Sequence, residues 1–292
     1  MRPLSPRSLA QVVRLALDED LGEGDVTTDA LVRPDLPGRA IVLAKQVGVL
    51  AGVAVLAETF REVDPAVVVQ PLAADGQAIA PGDTIARIRG PAASILKGER
   101  VALNLLQRMC GIASLTRRYV EAVAGTQAVI VDTRKTTPGL RALEKYAVRV
   151  GGGQNHRTNL SDGVLIKDNH IAAVRSEGHG IAEAVRRARA AAPHTVRVEV
   201  EVTSLDEVDE AVAAGPDIIL LDNMAPAIMA QAVRRIHSVD AGGRGRALAE
   251  ASGGIVLESV RAAAEAGVDL ISVGALTHSV PALDISLELE LE

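Results

Sequence analysis

From residue 128 onward the chain repeats one pattern: a short apolar run, then an Ala-rich stretch with helical spacing, then another apolar run. The runs are Ala128–Asp132 (AVIVD), Gly163–Lys167 (GVLIK), Val196–Val202 (VRVEVEV), Asp217–Asp222 (DIILLD), Ala247–Ser252 (ALAEAS) and Asp269–Gly274 (DLISVG). Between most of them lie helix candidates such as IAEAVRRARAAA, SLDEVDEAVAAG, PAIMAQAVRRI and LESVRAAAEAG. Strands alternating with helices of this length build βαβ units, and βαβ units build a parallel sheet. With a seventh strand expected near Ala147–Gly152, the pattern predicts an α/β barrel of about seven strands, complete or slightly short of eight.

In such barrels the chemistry sits where the strands end. Here those ends carry Asp132 with Arg134 and Lys135, Lys167 with Asp168, Glu199 and Glu201, Asp222, Ser252-Gly253-Gly254, and Gly274. The strict alternation of VRVEVEV puts Arg197, Glu199 and Glu201 on one face and four valines on the other. Glu201 and Asp222 are candidates to hold a hard cation such as Mg²⁺ or to bond ribose hydroxyls. Glu199 reads as structural, an ion pair inside the barrel. Ser252-Gly253-Gly254 and Val273-Gly274-Ala275 each follow a strand and precede a helix, so their backbone N–H groups can cradle a phosphate.

The preceding part of the chain reads differently. From Gly38 to Gly90, apolar runs alternate with Gly, Pro and Asp-Gly turn signals, a β pattern. Ile95, Val101, Leu105, Met109 and Ile112 then recur as the buried face of a helix. A domain boundary is expected between Ala113 and Gly125.

Composition narrows the function. One Phe, two Tyr and no Trp leave Val, Ile, Leu and Ala to fill the core and all but exclude a base-stacking platform. A net charge of −6 argues against a nucleic-acid partner. Cys110 is the only cysteine, so neither an internal disulfide nor a thiolate cluster can form; it reads as a small core residue. The N-terminus lacks the apolar core of a secretory signal, and no stretch approaches the ~20 apolar residues of a membrane helix. The expectation is a soluble, cytoplasmic protein.

Within that acidic chain, Asp132–His170 holds seven Lys/Arg against four acids, a local net of +3, with His156 and His170 in addition. Arginine forks and lysine heads gathered at strand ends suit a small polyanion. Arg134, Lys135, Arg157 and Lys167 fit that reading, whereas Arg141, Glu144, Lys145 and Arg149 have the spacing of a solvated charged helix. His156 is either a satisfied structural histidine or a substrate contact, and His170 either a contact or a helix cap. Gly151-Gly152-Gly153 reads as a loop. The segment Gly48–Gly90 is a little like a lipoyl or biotinyl carrier, but Lys45 lacks the flanking pattern. No P-loop, GxGxxG, HExxH or Ser-His-Asp order occurs. A barrel aldolase using Lys135 or Lys167 as a Schiff base, and a catalytically idle anion sensor, remain as readings from other classes.

DTRKTTPGLRALEKYAVRVGGGQNHRTNLSDGVLIKDNH resembles the signature of the quinolinate phosphoribosyltransferase family. The similarity extends in order through EDLGEGDVTTDAL, GERVALNLLQRMCGIAS, EVEV, LLDNM, EASGGI, ISVGALTHS and ALDISL, nearly the whole chain. Only AGGRGRAL (Ala241–Leu248) carries no family string, and it reads as a surface loop.

That resemblance implies a mixed α/β sandwich domain over residues 1–115, joined by a C-terminal tail near 276–292, and an incomplete barrel over 116–275. It implies transfer of phosphoribosyl from phosphoribosyl pyrophosphate to quinolinate with loss of CO₂, in NAD biosynthesis. It also implies Mg²⁺ accompanying the donor, no tightly bound organic cofactor, and a homodimer whose Arg100 completes the partner's site. By the same resemblance Arg134, His156, Arg157 and Lys167 bind the two carboxylates, and Thr133 and Lys135 bind substrate and sugar phosphate. Glu201 and Asp222 hold the ribose hydroxyls and the Mg²⁺–pyrophosphate; Ser252, Gly253, Gly254, Val273, Gly274 and Ala275 take the 5′-phosphate. Lys135, Lys167, Glu201 and Asp222 are the implied catalytic set. The neighbouring alternative is a sister transferase acting on nicotinate or another acidic ring.

Overall fold

The computed structural model describes residues 3–239 and 245–291, so part of the Ala241–Leu248 run lies outside the described residues. The chain begins α1 (Pro6–Leu21), α2 (Val26–Leu31), β1 (Pro37–Ala44), β2 (Gly48–Val49), α3 (Val53–Val63), β3 (Val68–Pro71), β4 (Ala78–Ile79) and β5 (Thr84–Pro91). A 31-residue helix α4 (Ala92–Ala122) follows, then β6 (Val129–Val131), α5 (Arg141–Val150), β7 (Val164–Ile166), α6 (Asp168–Ser176) and α7 (Ile181–Ala191). The remainder is β8 (Val198–Val202), α8 (Leu205–Ala214), β9 (Ile218–Asp222), α9 (Pro226–His237), β10 (Leu248–Ser252), α10 (Leu257–Glu265), β11 (Leu270–Ser272), α11 (Ala275–His278) and β12 (Ile285–Leu291).

Two compact units emerge. The first comprises residues 1–117, 135–152 and 276–292, and the second 118–134 and 153–275. In the first unit an antiparallel sheet runs β12-β1-β5-β3, with β12, from the far end of the chain, on the β1 edge. Its apolar face packs with Leu56, Phe60, Ile95 and Leu106, all fully buried. The apolar residues of α4 are buried as their spacing predicts, and Cys110 lies among them with its thiol pushed up to about 12 by burial.

Two expectations for this unit need correction. The run ending in Val53-Ala54-Val55 reads as β, yet it opens helix α3. Asp75 accepts the backbone N–H groups of Gly52 and Val53 at 2.9 and 3.0 Å, so a side chain distant in sequence caps the helix start. The charged α5 is not solvated: Glu144 and Lys145 are 1 % and 2 % exposed. Glu144 is buried because Arg108 of α4 donates to it at 2.8 Å and the Thr137 N–H at 3.1 Å. Spacing alone cannot tell an i,i+4 surface pair from charges satisfied by another helix.

The second unit is the α/β part. All six of its strands are parallel and fall on the six apolar runs; the structure arranges them in the order β6-β11-β10-β9-β8-β7. Because β11 pairs back to β6, the sheet curls through chain order and stays open between β6 and β7. That is an incomplete barrel. The seventh strand expected at Ala147–Gly152 is helix α5 instead; only Gln154, just beyond, forms a parallel bridge to Val131.

Alternation then sorts the side chains. Val198, Val200, Val202, Ile219, Leu221, Ala249 and Ala251 point to one face and are fully or almost fully buried. Each such Val, Leu or Ile contributes ~1.5–3 kcal/mol. Register places Lys167, Glu199, Glu201, Asp222, Glu250, Ser252 and Ser272 on the other face.

Candidate active site

The β6 end is built on a buried acid. Asp132 is fully buried; its Oδ2 accepts from Asn155 Nδ2 at 2.6 Å and its Oδ1 from the His156 N–H at 2.8 Å. That clamp ties the loop after Gln154 to the strand end and presents His156 and Arg157. The ring of His156 is fixed at both nitrogens: Nδ1 accepts the Arg157 backbone N–H at 2.8 Å, and Nε2 lies 3.0 Å from Glu199 Oε2. His156 thus links the Arg157 backbone to the Glu199 carboxyl group. Glu199 does serve structure, though through a histidine rather than the expected Lys or Arg.

Arg157 is half-buried and donates from Nη1 to the Gly163 carbonyl at 3.0 Å. Burial and the neighbouring charge of Arg134 hold its guanidinium below the ordinary arginine value, with Glu199 opposing. An arginine does not lose its proton under such pressure.

Lys167, after β7, is exposed and reaches Glu201 of β8 at 2.6 Å. His170 takes the helix-cap role: its Nδ1 accepts the Lys167 N–H at 2.9 Å, fixing the entry to α6. Asp222 ends β9 on the same face as Glu201, since Glu201 pairs with Leu220, two residues before it. These carboxylates supply the oxygen ligands a hard divalent cation takes, and neither Glu201 Oε1 nor Asp222 Oδ1 has a hydrogen bond among the described residues. Asn223 is the one described non-glycine residue at positive φ (53°), and its N–H donates to the Ser252 carbonyl at 3.0 Å. Gly253 answers it: φ is 84°, and a Cβ there would meet the Asn223 side chain at 2.5 Å and its backbone N at 2.8 Å. The Ser252-Gly253-Gly254 loop is thus locked to the Asp222 corner. Beside it Val273 N–H bonds the Val131 carbonyl at 3.0 Å, leading into Gly274 and Ala275 at the start of α11.

The expected residues divide between the units. Thr133, Arg134, His156, Arg157, Lys167, Glu201, Asp222, Ser252–Gly254 and Val273–Ala275 stand at or just past strand ends of the second unit. Arg100 and Lys135 fall in the first. Arg100 is exposed on α4 with no hydrogen bond or ion pair among the described residues, and the Lys135 carbonyl accepts from Thr277 Oγ1 at 2.7 Å. Sequence reasoning missed Glu250, which is fully buried 3.8 Å from His156 Nε2. Its signal was available: in LAEAS the glutamate keeps the phase of Ser252.

Models of the quinolinate phosphoribosyl transferase C-terminal and N-terminal domains match residues 112–288 and 25–110. The chain belongs to the quinolinate phosphoribosyltransferase family. Within it, the chain is 47 % identical over 273 residues to the probable nicotinate-nucleotide pyrophosphorylase (carboxylating) of Bacillus subtilis, covering 94 % of this chain and 90 % of that one. It is 46 % identical over 282 residues to the nicotinate-nucleotide pyrophosphorylase (carboxylating) of Mycobacterium leprae, covering 95 % of each. Among solved family structures, NadC from Streptococcus pyogenes superposes with a TM-score of 0.92 at 42 % identity, covering 100 % of both chains. Among the described residues, no helix is long and apolar enough to cross a membrane.

Proposed function

We propose that this chain transfers the phosphoribosyl group of phosphoribosyl pyrophosphate to quinolinate, giving nicotinate mononucleotide, pyrophosphate and CO₂ in NAD biosynthesis. The observation that carries the reading is Arg157: half-buried, crowded by Arg134, and bonded through its backbone N–H to His156 at the strand-end face. Such a place favours a carboxylate, and a second carboxylate finds Lys167 on the next strand end.

Arg134, His156, Arg157 and Lys167 take the two carboxylates. The Ser252–Gly254 and Val273–Ala275 corners take the 5′-phosphate through backbone N–H groups. Glu201 and Asp222 bond the ribose hydroxyls and would hold a Mg²⁺ that arrives with the donor. When bound, that ion neutralises charge on the departing pyrophosphate. The roles of Thr133 and Lys135 toward substrate and sugar phosphate, and of Arg100 in a homodimer partner's site, rest on family resemblance.

The pyridine nitrogen attacks the anomeric carbon as pyrophosphate leaves, through an oxocarbenium-like state. The C2–carboxylate bond then breaks, CO₂ departs, and a proton replaces it on C2. Catalysis is positioning and charge stabilisation, with no side-chain nucleophile. Pyrophosphate release measured side by side with quinolinate and nicotinate tests the reading. Faster turnover of quinolinate is expected; preference for nicotinate would point to the sister transferase.

A further inference from the structure

Lys135 is an exposed residue, but the backbone that carries it is tied down at successive points. Its carbonyl accepts the hydroxyl of Thr277, a fully buried residue of α11, at 2.7 Å. Thr136 Oγ1 accepts from Arg141 Nε at 2.9 Å. Thr137 is held three ways: its N–H donates to Glu144 Oε2 at 3.1 Å, its Oγ1 accepts from Arg108 Nη2 at 2.7 Å, and its carbonyl accepts the Leu140 N–H at 3.0 Å. That last bond closes a turn with Pro138 and Gly139 at its centre, the glycine at a φ of 82°.

Arg108 of α4 is the common anchor. Its Nη2 reaches Thr137 Oγ1, Glu144 Oε1 and, at 2.9 Å, the Thr277 carbonyl, while its Nε bonds Glu144 Oε1 at 2.8 Å. All of these residues belong to the first unit. One guanidinium therefore fixes Thr277, whose hydroxyl takes the Lys135 carbonyl, and Thr137, two residues further along the same loop. A buried ion pair adds little net stability over an apolar contact of the same shape, because desolvation offsets the attraction. A planar fork of donors does set geometry, and here that geometry converges on residues 135–137.

We infer that Arg108 and Thr277 are positioning residues for Lys135: they hold its backbone in place, so that the ammonium meets the phosphoribosyl donor without the loop first having to order. This rests on the reading of Lys135 as a contact to the sugar phosphate. A lysine stem loses rotamer freedom on binding whatever its backbone does. A loose backbone adds its own loss, and the affinity for the donor falls by that amount. The effect passes through the ammonium alone, so it disappears when the ammonium is removed.

A double-mutant cycle tests the arrangement, read as the KM for phosphoribosyl pyrophosphate at saturating quinolinate and Mg²⁺. Thr277→Val removes the hydroxyl that holds Lys135 and is expected to raise that KM about tenfold, the scale of one lost hydrogen bond, with a smaller change in kcat. Thr277→Ser, which keeps the hydroxyl, is expected to restore it. Thr137→Val cuts the Arg108 contact on the loop itself and is expected to raise the KM in the same direction; it decides the matter if Thr277→Val does not fold. Lys135→Ala is expected to raise the KM ~10–100-fold on its own, and neither valine substitution to raise it further in that background. Wild-type KM in both valine variants, no rescue by serine, or the same rise with and without Lys135 overturns the proposal and leaves the network structural. An unchanged KM in Lys135→Ala removes Lys135 from the donor site, and the proposal with it, while the transfer reaction stands. A wild-type chain with no donor-dependent turnover sinks the functional reading itself, and this role for Lys135 goes with it.

Discussion

Lys167 Nζ stands 2.6 Å from Glu201 Oε2, bridging the ends of two adjacent strands. The lysine side chain is 47 % exposed, and exposed pairs contribute little to stability, ~0–1 kcal/mol. The pair holds an ammonium over the strand-end face. Lys167→Ala is expected to raise the KM for the diacid ~10–100-fold, the scale of a lost hydrogen bond to a charged group. The same change should move the thermal midpoint by less than about 2 °C. Steady-state kinetics beside a thermal scan check both; a large loss of stability with an unchanged KM would make Lys167 structural.

The corner of Asn223 and Gly253 makes an opposite prediction, in which stability and binding fail together. Gly253→Ala forces a Cβ to 2.5 Å from Asn223 at a φ of 84°. The expected cost is ~1–3 kcal/mol in denaturant unfolding, with a raised KM for the phosphate donor. An alanine variant as stable as wild type would show that the loop yields without loss.

How far the chain could be read without its fold is clearest at β8. The alternation of VRVEVEV predicts which face holds Glu199 and Glu201, because strand period is a local property. The partners of those residues are not local. Glu250 sits in a short Ala-Glu-Ala strand two strands away, and only parallel register brings it toward Glu199 and His156. For the same reason α3 reads as strand until Asp75 caps it, and α5 reads as solvated until Arg108 reaches Glu144. The six parallel strands are legible from hydrophobic runs, while charge burial depends on contacts between distant segments.

Arg108 and Glu144 supply a stability test in the first unit. Glu144 is 1 % exposed and takes two Arg108 contacts as well as the Thr137 N–H. Removing one partner strands a buried charge, so Arg108→Ala is expected to cost ~3–5 kcal/mol in urea unfolding. A loss below ~1 kcal/mol would mean that water reaches Glu144 once the arginine is gone.

Glu250 also predicts a pH dependence of stability. Its folded-state value is raised from 4.5 to about 8, so the native chain binds the extra proton between those limits. The contribution is complete below pH 4.5 and is lost as pH rises through about 8. The stability of Glu250→Gln relative to wild type should therefore grow from pH 5 to pH 8 and level off above. Parallel urea titrations of the two proteins across that range measure the difference directly; a constant offset would contradict the raised value.

The account turns on the transfer reaction itself. The decisive measurement follows CO₂ released from quinolinate labelled in its 2-carboxylate, with phosphoribosyl pyrophosphate and Mg²⁺ supplied to the purified chain. The account predicts labelled CO₂, pyrophosphate and nicotinate mononucleotide in equal amounts, each abolished when the donor is omitted. No donor-dependent CO₂ release, or pyrophosphate formed without loss of the carboxylate, would contradict it.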